Sequence, residues 1–226
     1  MILIFSKDRP MQLDYLLRTM ERYYTLKDCN ILYTGNGYDR IDYPVNMWKQ
    51  TDDFKLDTEE IIEDSTKICF LCDDDVFYQN CIIPEKLGAF QTFSLRLGKN
   101  VINKKQFDYT ISLDGNIFNT CDILPLMQAI EYKNPNQLEG GLVPQQHKFR
   151  MKWHRQCLVG LPHNVVSSTS KNKHTGRYSA EFLQEKWEAK YMIKDIEFSN
   201  HKITDVHADI DFSLVSRLAT EKRRYA

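Results

Sequence analysis

Short, nearly all-apolar runs alternate along this chain with stretches whose apolar residues recur every three or four positions. Ile2-Leu-Ile-Phe5 is the first run and reads as a buried strand, followed by the polar loop Ser6-Lys-Asp-Arg9. Pro10 suits the first turn of a helix, where its missing N–H does no harm. Leu13, Leu16, Leu17, Met20 and Tyr24 then fall on one stripe of that helix. Asn30-Ile-Leu-Tyr-Thr34 is a second short strand, closed by Gly35-Asn-Gly37. Strand, helix and strand within about 35 residues make a βαβ unit, which implies a parallel sheet.

Asp57-Thr-Glu-Glu60 has the form of a capping box and predicts a short helix to about Ser65, with Asp57 as its N-cap. Lys67 to Cys72 is the next buried strand. Pro84 opens a helical stretch through about Leu97, and Phe107 to Leu113 alternates loosely as a strand before a turn at Gly115. Asp122 to Tyr132 reads as helix, and Asn134-Pro-Asn-Gln137 as a loop feeding a segment that begins Leu138-Glu139. Cys157 to Val166 holds a strand interrupted by Pro162, and Ser167 to Gly176 is a polar surface loop. Ser179 caps a helix with Phe182, Leu183, Trp187 and Tyr191 on its inner face. Near the end Val206, Ala208, Ile210 and Phe212 alternate with His207, Asp209 and Asp211, the period of a half-buried strand. No repeat or low-complexity linker divides the chain, so one α/β domain with a C-terminal extension is expected.

Composition narrows the function classes. The chain is 226 residues long, enough for one substantial core, with 42% apolar and 27% charged residues. A net charge of -1 gives no bulk electrostatic case for nucleic acid or membrane. Lys99, Lys104 and Lys105 form a local basic cluster, and residues 221–226 a basic tail read as a frayed terminus. No run approaches the roughly 20 apolar residues that span a bilayer, and Met1 to Phe5 is too short for a signal peptide core. A cytoplasmic location is expected. The six cysteines, including the lone Cys69-x-x-Cys72 pair, read as buried thiols in a reducing compartment.

The chemistry concentrates at Asp73-Asp-Asp75, where a greasy strand ends in three like charges. If the strand direction persists, Asp73 and Asp75 share a face and Asp74 points away. Paired carboxylates at a strand's carboxyl end suit a hard divalent cation, while a solvated acidic turn is the plain alternative. From these residues alone both stand.

A short N-terminal strand, a polar loop, a helix and a central strand ending in an aspartate triplet resemble the GT-A fold of nucleotide-sugar glycosyltransferases. Asp73-Asp-Asp75 is similar to that superfamily's D-x-D motif, and Val76-Phe77 to the apolar pair behind it. The resemblance covers about the first 130 residues in element order, plus His207. It implies a mostly parallel, Rossmann-like sheet flanked by helices, with residues 1–105 or so binding the donor and the remainder binding the acceptor. It implies Mn²⁺ or Mg²⁺ held by Asp75, Asp73 and His207, with Asp209 and Asp211 orienting the imidazole. Ser6, Lys7, Arg9, Thr34, Asp53, Asp73, Asp74 and Arg96 become donor-binding residues, and a UDP-sugar the first donor to expect. Glu139 is the first choice for the base that activates an acceptor hydroxyl, and Asp114 the second. Arg150, Lys152, Trp153 and His154 form an acceptor-side patch, the acceptor being a glycan, lipid, protein or modified nucleic-acid base. His163 reads as a hydrogen-bonded core histidine, and residues 167–176 as a lid over the donor or a plain surface loop.

Two other classes stay open at this level. A nucleotidyltransferase also places carboxylates at strand ends, but usually with a Gly-rich loop that Ser6-Lys-Asp-Arg-Pro10 lacks. A non-catalytic nucleotide- or carbohydrate-binding module is the third reading.

Overall fold

A computed structural model describes residues 1–162, 164 and 178–217. His163, the loop 167–176 and the tail 221–226 singled out above lie outside the described residues.

Strand β1 (Ile2–Lys7), helix α1 (Pro10–Tyr23) and strand β2 (Cys29–Thr34) form the expected parallel unit. Strand β3 (Asn46–Lys49) extends it beyond β2, and β4 (Lys67–Cys72) pairs in parallel on the other side of β1. Three further strands, β6 (Gln91–Ser94), β7 (Asn116–Asn119) and β8 (Arg150–Trp153), complete a seven-stranded sheet in the order β3-β2-β1-β4-β7-β6-β8. Only the β4–β7 and β7–β6 pairs are antiparallel, so the sheet is mixed but mostly parallel.

Alternation along the central strands divides the core. Ile2, Ile4, Cys69 and Leu71 point to one face, where Leu13, Leu16, Leu17 and Met20 of α1 cover them. Leu3, Phe5, Ile68 and Phe70 point to the other. That face is covered by α2 (Phe54–Ile62), α3 (Thr120–Gln128) and α4 (Pro135–Leu142). Near-continuous apolar strands are what a sheet buried on both faces requires. The far side of α1 is also buried, because Met11 and Tyr15 pack under the C-terminal extension. That extension comprises α5 (Ala180–Glu188), the strands β10 (Tyr191–Ile193) and β11 (Leu214–Ser216), and residues 203–212 between them.

Several local expectations are corrected. Residues 84–97 form no helix: Phe93, Leu95 and Leu97 already repeat at period two, and β7 and β8 capture Gln91–Ser94 as a strand. Residues 107–113 form no strand, since side chains take up their backbone groups. Leu113 N–H donates to Glu139, and the Thr110 carbonyl accepts from Asn116. The strand follows Gly115 instead, whose φ of 81° suits glycine. Asp53, rather than Asp57, caps α2 by accepting from Leu56 N–H at 3.0 Å. Helix α3 stops at Gln128, short of Tyr132, and the supposed loop at 134–137 is the start of α4, capped by Asn134 with Pro135 at its first turn. Ser179 does cap α5, but Tyr191 lies beyond it in β10. Residues 206–212 keep their buried–exposed alternation around Val206, Ile210 and Phe212, yet form no strand: Gly160 to His207 is an isolated parallel bridge, with Gly160 N–H donating to the Val206 carbonyl and Ala208 N–H to that of Gly160.

The cysteines also differ from expectation. Strand β5 (Asp75–Phe77) pairs antiparallel with β9 (Leu158–Gly160), which brings Cys81 and Cys157 within 5.5 Å (Cα–Cα) as a disulfide. Cys29 and Cys69 are buried thiols, whereas Cys121 is exposed. No helix among the described residues is long and apolar enough to cross a membrane.

Candidate functional site

After β1 the chain winds outward through β2 and β3, and β4 starts the opposite half of the sheet. The crevice beyond the carboxyl ends of β1 and β4 is therefore the topological switch point, where open α/β sheets bind ligands. Phe5 pairs with Cys72, so Ser6 and Lys7 leave one strand beside Asp73 leaving the other. A cleft of about 810 Å³ opens there.

The aspartate triplet does not continue as a strand. Asp73 and Asp74 form a turn between β4 and β5, so no shared strand face joins Asp73 to Asp75. Asp73 is buried, and both of its oxygens are used. Arg9 Nη1 donates to Oδ1 at 2.9 Å, while Ser6 Oγ and Lys7 N–H donate to Oδ2 at 3.0 and 3.2 Å. Burial pushes this carboxyl up to about 6, against the pull of Arg9. Arg9 is itself buried, and its Nη2 donates to the Asn164 carbonyl at 2.5 Å. Asp74 is the most open of the three, 3.6 Å from Arg9 Nη1. Asp75 is sealed in the cleft floor, accepting from Cys72 N–H at 2.9 Å. Burial, reinforced by the nearby Asp114, holds its carboxyl well above the ordinary range.

A second buried arginine organises the opposite wall. Arg96, just past β6, places all its N–H groups on acceptors. These are the Val206 carbonyl at 3.1–3.3 Å, the Asp114 carbonyl and Oδ2 at 3.4 and 2.6 Å, and His207 Nε2 at 2.9 Å. Burial alone would raise the Asp114 carboxyl, but the Arg96 charge and hydrogen bond, with Cys72 and His207, together keep Asp114 below the usual range. Lost hydration and the same guanidinium lower the affinity of His207 for a proton. Since Arg96 can only donate, His207 Nε2 is the acceptor of that pair, and the imidazole is neutral with its proton on Nδ1.

Glu139 reaches the cleft from α4. Its Oε1 accepts from Tyr109 OH at 2.6 Å and its Oε2 from Leu113 N–H at 2.8 Å. Burial, then Asp114, raises its carboxyl above the ordinary glutamate range. Gly160 permits the approach of the C-terminal segment, because a Cβ there would meet His207 Cδ2 at 2.7 Å. Gly160→Ala is expected to cost about 1–3 kcal/mol by overpacking. Urea denaturation measures it, and an unchanged midpoint would show that His207 swings aside freely.

Of the expected donor-binding residues, Ser6, Lys7, Arg9, Thr34, Asp73, Asp74 and Arg96 all line this cleft, as do Asp75, Asp114, Glu139 and His207. Asp53 does not line it and serves α2 as its cap. Sequence reading did not assign Gln50, Lys105, Tyr109, Lys133 or Asn164 to the site, although Lys105 belongs to the basic cluster noted above. Trp153 stands outside the cleft, edge-on to Phe107.

The expected metal ligands are not gathered. Among the described residues no group of three or more His, Cys, Asp or Glu side chains is arranged to hold a metal ion. Asp73 is occupied by Arg9, Ser6 and Lys7, and the lone pair of His207 Nε2 by Arg96. As arranged, these residues do not fit a divalent cation.

No protein-family model matches the chain, and no curated protein is similar to it in sequence.

Proposed function

We propose that this protein is a GT-A-type glycosyltransferase, moving a sugar from a nucleoside-diphosphate sugar to an acceptor hydroxyl. One observation carries the reading. The β1 loop, the aspartate triplet, Asp114, Glu139 and His207, far apart in sequence, line one cleft at the switch point of an α/β sheet.

In this reading the nucleotide base enters the end lined by Phe5, Leu32 and Phe54, where Thr34 and Gln50 offer polar groups for recognition. The diphosphate lies over the carboxyl ends of β1 and β4, and the sugar reaches toward Asp114 and Glu139. The bond from the anomeric carbon to the diphosphate oxygen breaks as the bond to the acceptor oxygen forms. Glu139 receives the acceptor's proton, and its elevated proton affinity suits that role. Asp114, kept ionised by Arg96, orients sugar hydroxyls. The Mn²⁺ or Mg²⁺ implied by the resemblance would supply charge neutralisation for the leaving diphosphate. Because the ligand set does not fit it as arranged, the roles above belong to the chain's own groups.

A panel of nucleotide sugars, incubated without acceptor and with and without Mn²⁺, tests the reading by release of nucleoside diphosphate. Slow hydrolysis of one donor is the expected result. The reading fails if no donor is turned over and none raises the melting temperature. Pyrophosphate released from a nucleoside triphosphate and a sugar phosphate would instead mark a nucleotidyltransferase.

A further inference from the structure

We infer that the donor's diphosphate is bound by side-chain ammonium groups, chiefly Lys7 and Lys105, without a divalent cation. The inference rests on the glycosyltransferase reading and deepens it at the phosphate site.

Charge in the cleft is the starting point. Five acidic side chains line it, Asp73, Asp74, Asp75, Asp114 and Glu139, and so do five cationic ones. Arg9 answers Asp73 and Asp74, and Asp75 accepts a backbone N–H, so part of the triplet's charge is matched within the protein. Two of the cations are committed. Arg9 is tied to Asp73 and to the Asn164 carbonyl, and Arg96 spends its N–H groups on Asp114, Val206 and His207. A phosphate oxygen would have to displace a buried partner to reach either guanidinium.

The lysines differ. Lys7, Lys105 and Lys133 are exposed at the cleft, and their ammonium groups form no hydrogen bond or ion pair among the described residues. Lys7 is the last residue of β1, at the switch point itself, and its backbone N–H already braces Asp73. Lys105 comes from the 3-10 turn Lys104–Phe107, whose neighbouring Gln106 also lines the cleft. An ammonium on a flexible stem is a compact donor to phosphate and neutralises charge without the geometry a metal demands. The arginines thus hold the carboxylates in place, and the lysines remain for the ligand.

Calorimetry with UDP and GDP, each beside its nucleoside and nucleoside monophosphate, tests this in excess EDTA and in Mn²⁺ or Mg²⁺. The preferred diphosphate is expected to bind with affinities within about threefold of each other across these conditions. Lys7→Met and Lys105→Met should each weaken diphosphate binding by about tenfold while changing nucleoside binding by less than about twofold. Both side chains are exposed, so the variants fold, and an unchanged melting temperature verifies it. Binding seen only with a divalent cation overturns the inference and leaves the glycosyltransferase reading standing. So do lysine variants that bind as tightly as the parent. If no nucleotide binds under any condition, both fall together.

Discussion

Glu139→Gln is expected to lower sugar transfer by about 10³-fold while nucleoside diphosphate binds as before, the loss typical of removing a general base. The substitution keeps the shape of the side chain, so Tyr109 can still donate to a carbonyl oxygen. Only the amide NH₂ facing Leu113 N–H is ill matched. What disappears is the capacity to take up a proton. Both candidate carboxylates lie in the cleft, but their environments separate them. Arg96 at 2.6 Å makes Asp114 a weak base, whereas burial and Asp114 itself make Glu139 a stronger one. Because the base must be ionised to act, the rate should fall on acidification at a higher pH than an ordinary glutamate would give. Initial rates across pH, paired with binding titrations, measure both effects. Near-normal turnover by Glu139→Gln, with loss in Asp114→Asn, would transfer the role to Asp114.

The second large effect is on stability. Arg9→Met should cost about 3–5 kcal/mol, because it strands a buried carboxylate and leaves the Asn164 carbonyl without its donor. The two side chains of the pair are only 8% and 5% exposed, so solvent screens little of the interaction. Replacing both, as Arg9→Met with Asp73→Asn, should recover much of the loss by removing the unpaired charge. Urea denaturation of the single and double variants gives the comparison. A single variant within about 1 kcal/mol of the parent would mean that water reaches Asp73 once the arginine is gone.

The first half of the fold was legible because its signals are local. Ile2–Phe5 and Lys67–Cys72 are apolar throughout, as strands with helices on both faces must be, and the α1 stripe has an unambiguous period. The aspartate triplet was legible as a strand end, but the turn that separates Asp73 from Asp75 was not, because it depends on β5 finding β9 some 80 residues later. The same pairing determines the Cys81–Cys157 bond, invisible to any rule about spacing. Residues 84–97 carried both periods at once, and only the neighbouring strands selected period two. At the site, the resemblance pointed to Asp114, Glu139 and His207, and all three line the cleft. Tyr109 went unmarked, since nothing in its own neighbourhood points to a distant partner, and Lys105 showed only as one of a basic cluster.

The bridge from Gly160 to His207 has a consequence for how the protein comes into being. All seven strands of the main sheet are encoded by residue 153, so a chain emerging from the ribosome could assemble that sheet early. Arg96, however, finds two of its acceptors 110 and 111 residues downstream, at Val206 and His207. Until that segment arrives and docks over Gly160, the guanidinium keeps Asp114 but lacks its Val206 and His207 acceptors, and the cleft lacks part of a wall. Closure of that wall therefore waits for a segment made more than a hundred residues after Arg96.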